Sequence, residues 1–280
     1  MTDMIKTMIE KSLHDKRVVA VNNFCVVTDQ LDYSELNQVL PLFPEQQFFL
    51  DEIVPEKIRG AKGLEIGVGS GVLSIGAVKA GAEKITALEI NPRAKNFAGF
   101  NILLNGAEGR IEIMDGDDDI FKPVQGRQFD YIFSNPPFDP TPPGAEHYLH
   151  SAAGAYGLDF IEKIFKDLDE YLTDEGHGQI VTAAPGNDNE PFLLLDLVKK
   201  YLPGAATVVV NPVPIEFEHA TDFLEDRGLA TVEQTEALKQ SVRKQGISHS
   251  HLCVIHYEKG TKALKVEPSK TIYHDWNLPL

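Results

Sequence analysis

Asn135 stands in the run Tyr-Ile-Phe-Ser-Asn-Pro-Pro-Phe over residues 131–138, followed by two prolines and an aromatic ring. The prolines Pro136 and Pro137 fix the backbone beyond the carboxamide and lower the entropy of holding it in place. The carboxamide oxygen of Asn135 and the carbonyl of Pro136 can both accept hydrogen bonds from one NH2 group. Acceptors so placed keep a nitrogen lone pair aimed at an electrophile, which is catalysis by positioning. Phe138 can stack on a flat amide, amidine or heteroaromatic group. A structural Pro-Pro turn is the plainer alternative.

About 65 residues upstream the chain reads Leu-Glu-Ile-Gly-Val-Gly-Ser-Gly, residues 64–71. A strand that turns into a helix across Gly67, Gly69 and Gly71 lets backbone approach a ligand without Cβ clashes. The helix N-terminus beyond it favours a carboxylate or phosphate. Taken alone, the same glycines also suit a tight strand–helix turn. The third glycine falls one residue earlier than in the dinucleotide fingerprint, and Glu65 stands two residues before the first. A carboxylate there suits a cationic head such as an α-ammonium. The next strand ends in Ala-Leu-Glu89-Ile-Asn91-Pro92. An acid at that tip is placed to take both hydroxyls of a ribose, with a helix N-terminal carboxylate as the alternative. Asp115, Asp117, Asp118 and Asp119 crowd the end of the third strand. One of them can accept an adenine amino group. No metal is expected there, because no complementary His or Glu is fixed nearby.

Alternating strand and helix patterns must position these residues. Apolar runs at 63–68, 84–90, 110–115, 129–134 and 178–184 read as strands. Helical patterns cover 72–80, 92–104, 158–172 and 191–202. Such alternation predicts an α/β fold with a doubly wound, mostly parallel sheet. Both loops then lie on one edge of that sheet. Residues 1–17 read as an amphipathic helix, and 18–21 and 24–27 as a hairpin about Asn22-Asn23. A helix at 45–59 contains Pro55. Residues 139–156 form a long loop expected to overhang the acceptor, with His147, Tyr148 and His150 as substrate contacts. Strands at 206–217 and 249–258 predict an antiparallel edge pair, with 220–245 helical between them. Residues 260–280 read as a surface tail. The expected organisation is an N-terminal region 1–42, a main domain 43–260 and a tail 261–280. His249, His251 and Cys253 share one strand face, readable as a zinc site or as a half-buried polar face.

Three of these segments, GLEIGVGSG, ALEINP and FSNPPF, resemble the class I S-adenosylmethionine-dependent methyltransferases. They are most similar to the amino-methylating group with the motif [ND]-P-P-[YF]. The resemblance covers about residues 43–185. It implies a seven-stranded sheet and S-adenosylmethionine as cofactor. It places Glu65, Gly67 and Gly69 at the methionine end, Glu89 at the ribose and Asp117 or Asp119 at the adenine, with Gly71, Asn91 and Asn135 also among the cofactor contacts. Asn135, Pro136 and Phe138 would hold the acceptor nitrogen. The segment Phe43-Pro44-Glu45 resembles the piece that caps the cofactor. Gly157-Leu158-Asp159 matches the branch that methylates glutamine N5 of release factors. Ser134-Asn-Pro-Pro-Phe138 matches the rRNA guanine-N2 branch, although Asp139 stands where that branch commonly has His. The implied activity is N-methylation of an amide, amine or heteroaromatic nitrogen in a small molecule or peptide. A protein glutamine, rRNA guanine, or non-catalytic cofactor binding are the alternatives.

Composition narrows the partners. The 280 residues carry 42 acidic and 26 basic side chains, a net charge of −16. Nucleic-acid binders usually present a basic face, so the balance weighs against RNA or DNA. No apolar run reaches membrane-spanning length. Two cysteines fit a reducing cytoplasm. A homodimer through the C-terminal strands and the tail around Trp276 is a further expectation.

Overall fold

The structure, a computed structural model, describes residues 15–151 and 153–280. Most of the helix expected over 1–17 lies outside the described residues. Lys16 and Arg17 instead open strand β1 (Lys16–Val21), which pairs antiparallel with β2 (Phe24–Asp29) in the register Val21↔Phe24. Asn22 takes a φ of +50° in the two-residue turn, a conformation Asn tolerates.

The stretch expected as one helix splits. Helix α1 (Pro44–Asp51) ends before Pro55, and α2 (Pro55–Ile58) begins on it. Proline removes an N–H donor and pushes the preceding residue to extended geometry, so it starts a helix more readily than it continues one.

The main sheet then winds through β3 (Lys62–Ile66), β4 (Lys84–Glu89), β5 (Ile111–Asp115), β6 (Phe129–Ser134) and β7 (Leu172–Gly186). Its helices are α3 (Val72–Ala80), α4 (Pro92–Leu104), α5 (Asp159–Tyr171) and α6 (Phe192–Tyr201). The C-terminal part adds β8 (Ala205–Val210), β9 (Ile215–Glu216), α7 (Glu218–Asp226), α8 (Val232–Lys244), β10 (His249–Glu258) and β11 (Ala263–Pro268). The order across the sheet is β11-β8-β10-β7-β6-β3-β4-β5, with β9 pairing β10. Strand β10 runs antiparallel to both β7 and β8.

Two apolar layers sandwich the sheet. Phe48, Phe49, Leu73, Ile75 and Ala98 pack with Tyr131 and Phe133 on one face. Ile161, Phe165, Leu194 and Val198 pack with Ile132 on the other. The alternation along β6 is what a strand buried on both faces requires.

The C-terminal segment departs from expectation in three ways. The run 206–217 is two strands, because Pro212 and Pro214 cannot donate to a ladder. The antiparallel partner β10 lies inside the sheet, and the edge is β11, which pairs parallel with β8. The expected surface tail therefore extends the sheet and folds back over it. Trp276 is 5% exposed, and its Nε1 donates to the Val213 carbonyl at 2.9 Å. That ring is spent inside the chain.

The hairpin is tied to the sheet by one buried carboxamide. Asn101 on α4 accepts from the Val27 N–H at 2.8 Å and donates to the Val27 and Ser70 carbonyls at 2.9 and 2.8 Å. Asn101→Leu leaves three buried backbone groups unpaired and is expected to cost about 3 kcal/mol. A urea unfolding series reads this as a lower midpoint at unchanged slope. A midpoint within error of the wild type contradicts the assignment.

Candidate active site

The carboxyl ends of β3, β4, β6 and β7 share one edge, and two chambers open there. In open α/β sheets this edge is where ligands bind. The first chamber encloses about 180 Å3 between the glycine turn, the tips of β4 and β5, and the segment 38–42. At Gly67 (φ +77°) and Gly69 (φ +52°) nothing lies within 4 Å of where a Cβ would stand. The turn thus presents bare backbone to open space. Gly71 differs, because a Cβ there would lie 3.4 Å from Ala98 Cα. Its small size serves the packing of α3 on α4, and it is off the chamber wall.

Glu65 is 1% exposed and accepts from the Ser74 hydroxyl. Burial pushes its carboxyl up to about 8 against the Ser74 hydrogen bond. Glu89 accepts from the Asn91 N–H through Oε1 and from the Gly69 N–H through Oε2, both at 2.8 Å. Burial raises this carboxyl too, with those N–H groups opposing the shift. Asn91 lines the chamber and also caps α4, accepting from the Arg93 N–H at 2.9 Å. Asp117 is on the wall, ion-paired to Lys122 at 2.7 Å, and Asp118 stands beside it. Asp119 is off the wall, with its N–H on the Asp117 carboxylate at 3.0 Å. Phe160 and Lys163 on α5 complete the lining. These two carry no motif, and only the docking of α5 brings them there.

The second chamber, about 390 Å3, lies beyond Asn135. Its walls are Phe43 and Glu45 at the start of α1, residues 135–140, the end of β7, helix α7 and Trp276. Asn135, His150 and Leu40 border both chambers. The Ser134 hydroxyl donates to the Ile66 carbonyl at 2.7 Å and clamps the Asn-Pro-Pro turn beside the glycine turn. The long loop packs back on the motif: a Cβ on Gly157 (φ +73°) would stand 2.1 Å from the Phe138 carbonyl. Asn135 Oδ1 is buried and has no hydrogen-bond partner among the described residues. Phe138 lines the second chamber with Pro136.

The loop residues divide. His150 lies between the chambers, with Nε2 at 3.2 Å from Gln38 Oε1. Tyr148 is off both walls. It is 3% exposed, packs with Leu224 and Leu229, and stacks on His150 at 5.1 Å. His147 is exposed and also off both walls. Of the three loop residues expected to touch substrate, His150 alone borders a chamber. Tyr148 is drawn into the packing under α7, and His147 faces water. The zinc reading of His249, His251 and Cys253 finds no support, since no group of three such ligands assembles among the described residues.

Glu45 and Asp139 carried no expectation as site carboxyls, yet both border the second chamber. Burial pushes Glu45 up to about 8, against hydrogen bonds from its own backbone, Gln46 and Asn135. It pushes Asp139 up to about 7. Each acid holds its proton more tightly folded than unfolded. Its contribution to stability is whole below the ordinary value, 4.5 for Glu and 3.8 for Asp, and is lost as pH rises through the raised one. The melting temperature of the ligand-free protein is expected to fall from about pH 5 to about pH 8, and E65Q to flatten the fall. A rising or flat wild-type profile in scanning calorimetry would count against these burials.

The sequence profile of the methyltransferase small domain matches residues 46–201. The chain is 30% identical over 169 residues to a release factor glutamine methyltransferase of Geobacter sulfurreducens, covering 57% of each. It is 31% identical over 122 residues to a ribosomal protein uL3 glutamine methyltransferase of Francisella tularensis, covering 40% of this chain and 38% of that one. The chain thus spans about half the length, or less, of these curated relatives. Its fold is similar to that of a SAM-dependent methyltransferase from Agrobacterium tumefaciens, with a TM-score of 0.54 and 17% identity over 88% of this chain and 71% of that one.

Proposed function

The chain belongs to the methyltransferase small domain family, and from that premise we propose that it is an S-adenosylmethionine-dependent N-methyltransferase acting on a small molecule or peptide. One observation carries the reading. Two chambers meet at Asn135, whose Oδ1 is buried and unpartnered. An unpaired buried acceptor is costly unless a ligand completes it.

The first chamber fits the cofactor. Bare backbone at Gly67 and Gly69 would lie along its methionine end, and the Glu65 carboxyl would meet the α-ammonium. Glu89 would hold the ribose hydroxyls, and Asp117 or Asp118 the adenine. Asp118 takes the place of Asp119 in that pair, because Asp119 is off the wall. When bound, S-adenosylmethionine supplies an electrophilic methyl group on a sulfonium sulfur. Asn135 would accept the hydrogen bonds of the incoming nitrogen, Pro136 and Pro137 would hold it rigid, and Phe138 would pack on the acceptor. The second chamber, about 390 Å3, suits a compact acceptor, or one residue of a peptide.

The similarity to glutamine-methylating enzymes favours a second reading, a protein glutamine amide as acceptor. One experiment separates the two. Methyl-labelled S-adenosylmethionine is incubated with the protein and with cell extract split into protein, nucleic-acid and small-molecule pools, with Asn135→Ala as control. Label confined to small molecules and peptides supports the first reading, and label in intact protein the second. Label in RNA that vanishes in the variant would overrule both. Label in no pool, with tight cofactor binding, would mean a non-catalytic binder.

A further inference from the structure

The second chamber is rich in hydrogen-bond acceptors and lacks strong donors. Asn135 Oδ1 and His150 Nδ1 are the buried side-chain nitrogen or oxygen atoms left without a partner among the described residues, and both side chains border this chamber. The His150 tautomer follows from its neighbour. Gln38 Nε2 donates to the Gln30, Leu31 and Tyr33 carbonyls at 3.0 to 3.3 Å, so Gln38 Oε1 is the acceptor that faces His150. His150 Nε2 therefore carries the proton and Nδ1 a free lone pair. Burial lowers the ring to about 4, which keeps it neutral.

Two carboxyl groups add to these acceptors. Glu45 is 3% exposed; the Gln46 amide donates to it at 2.9 Å, and the Asn135 carboxamide adds a second side-chain hydrogen bond. Asp139 borders the same chamber, near enough for its charge to act on Glu45, and is hydrogen-bonded by Ser151. No Lys or Arg lines the chamber. Of the other titratable groups on the wall, Asp222 is paired with Lys239 at 3.0 Å, Asp226 is exposed, and His219 sits on α7. Buried carboxyls are normally paired with a cation. Here the chain supplies no cation, so in the empty chamber these acids keep their protons, and an entering cation would be their partner.

We propose that the methyl acceptor is a protonated amine, seated against the Glu45 and Asp139 carboxyl groups with its N–H groups on Asn135 Oδ1 and His150 Nδ1. This deepens the N-methyltransferase reading and rests on it. An ammonium has no lone pair to give, so one proton must leave first. Glu45, which gives up its own proton to solvent as the cation enters, takes it as a carboxylate, giving RNH2 and a neutral carboxyl group. The freed lone pair forms the N–CH3 bond as the S–CH3 bond breaks and its electron pair stays on sulfur. The products are RNH2CH3+ and S-adenosylhomocysteine, and Glu45 releases its proton to solvent. Asp139 balances the charge of the entering and departing ammonium. An amide acceptor would bring no cation and leave both carboxyl groups unexplained.

The test is the chemistry of the labelled product. Hot strong acid cleaves an N-methyl amide to methylammonium, which added base releases as volatile methylamine, but leaves an N-methyl amine on its carbon skeleton. Label that stays non-volatile is expected, and volatile methylamine overturns the proposal. Binding keeps the question open to a second measurement. With the protein saturated in S-adenosylhomocysteine, calorimetry should show butylammonium binding and no butyramide binding. E45Q and D139N should each weaken butylammonium at least tenfold while S-adenosylhomocysteine affinity holds. E45Q should slow turnover on the order of 100-fold, the size expected for a lost general base. Butyramide binding as well as butylammonium, or no butylammonium binding at all, or indifference to both variants, overturns the amine assignment. Failure of S-adenosylhomocysteine to bind, or label that persists in Asn135→Ala, would instead bring down the methyltransferase reading itself.

Discussion

Replacing Asn135 with Ala is expected to lower turnover roughly 100- to 1,000-fold while the affinity for S-adenosylmethionine changes by no more than about twofold. The magnitude is that of removing one preorganised polar group aimed at a reacting centre. The selectivity follows from position. Asn135 borders both chambers, but its buried Oδ1 has no partner in the chain, so the ligand it awaits is the acceptor. The scaffold should survive. Asn135 lies past the end of β6, and the clamp from Ser134 to the Ile66 carbonyl is a separate bond. Single-turnover rates with titrated cofactor binding make the check. A variant that binds cofactor tenfold more weakly, or turns over normally, removes Asn135 from the acceptor role.

Glu89→Ala should do the opposite, raising the dissociation constant for S-adenosylmethionine about 100- to 1,000-fold. One carboxylate now accepts from two backbone N–H groups, Gly69 in the glycine turn and Asn91 at the start of α4. Each bond to a charged group is worth about 1.5 to 3 kcal/mol, and an N–H left without an acceptor costs a further amount. The loss therefore falls both on the shape of the turn and on the ribose contact. Glu89→Gln separates these, because an amide oxygen still accepts while the charge is gone, and it should weaken binding less. Titration calorimetry reads the affinities, and circular dichroism shows whether the sheet persists. Equal affinity for wild type and Glu89→Ala would remove Glu89 from the cofactor site.

Much of this arrangement was legible in the chain. Strand and helix periods run from 61 to 202, and helices 72–80 and 92–104 begin and end where the pattern places them. The reason is local. Pro92 with Asn91 starts a helix, Gly81 stops one, and buried parallel strands need continuous apolar runs. Glu65, Gly67, Gly69, Glu89 and Asn135 could be placed on one sheet edge because each ends a strand of that alternation. A strand tip in a parallel sheet has a determined place.

The tertiary structure alone decided the rest. Glu45 and Asp139 are ordinary acids in sequence, and only the packing of α7 and Trp276 makes them walls of one chamber. Helix α7 carries an unremarkable polar pattern, so nothing local marks it as a wall of that chamber. His147, Tyr148 and His150 sit in one loop of similar composition, yet one is exposed, one is packed under α7 and one divides the chambers. A loop has no period to say which side chain turns inward. Its course here is set by distant partners: Leu149 donates to the Leu36 carbonyl at 2.9 Å, and His150 meets Gln38. The tail became a strand for a like reason, since β8 offered an unpaired edge and residues 263–268 were in reach to fill it. The chain alone determined what stands at the strand tips, because local pattern governs strands. The fold decided what encloses them, because enclosure depends on contacts between segments far apart in sequence.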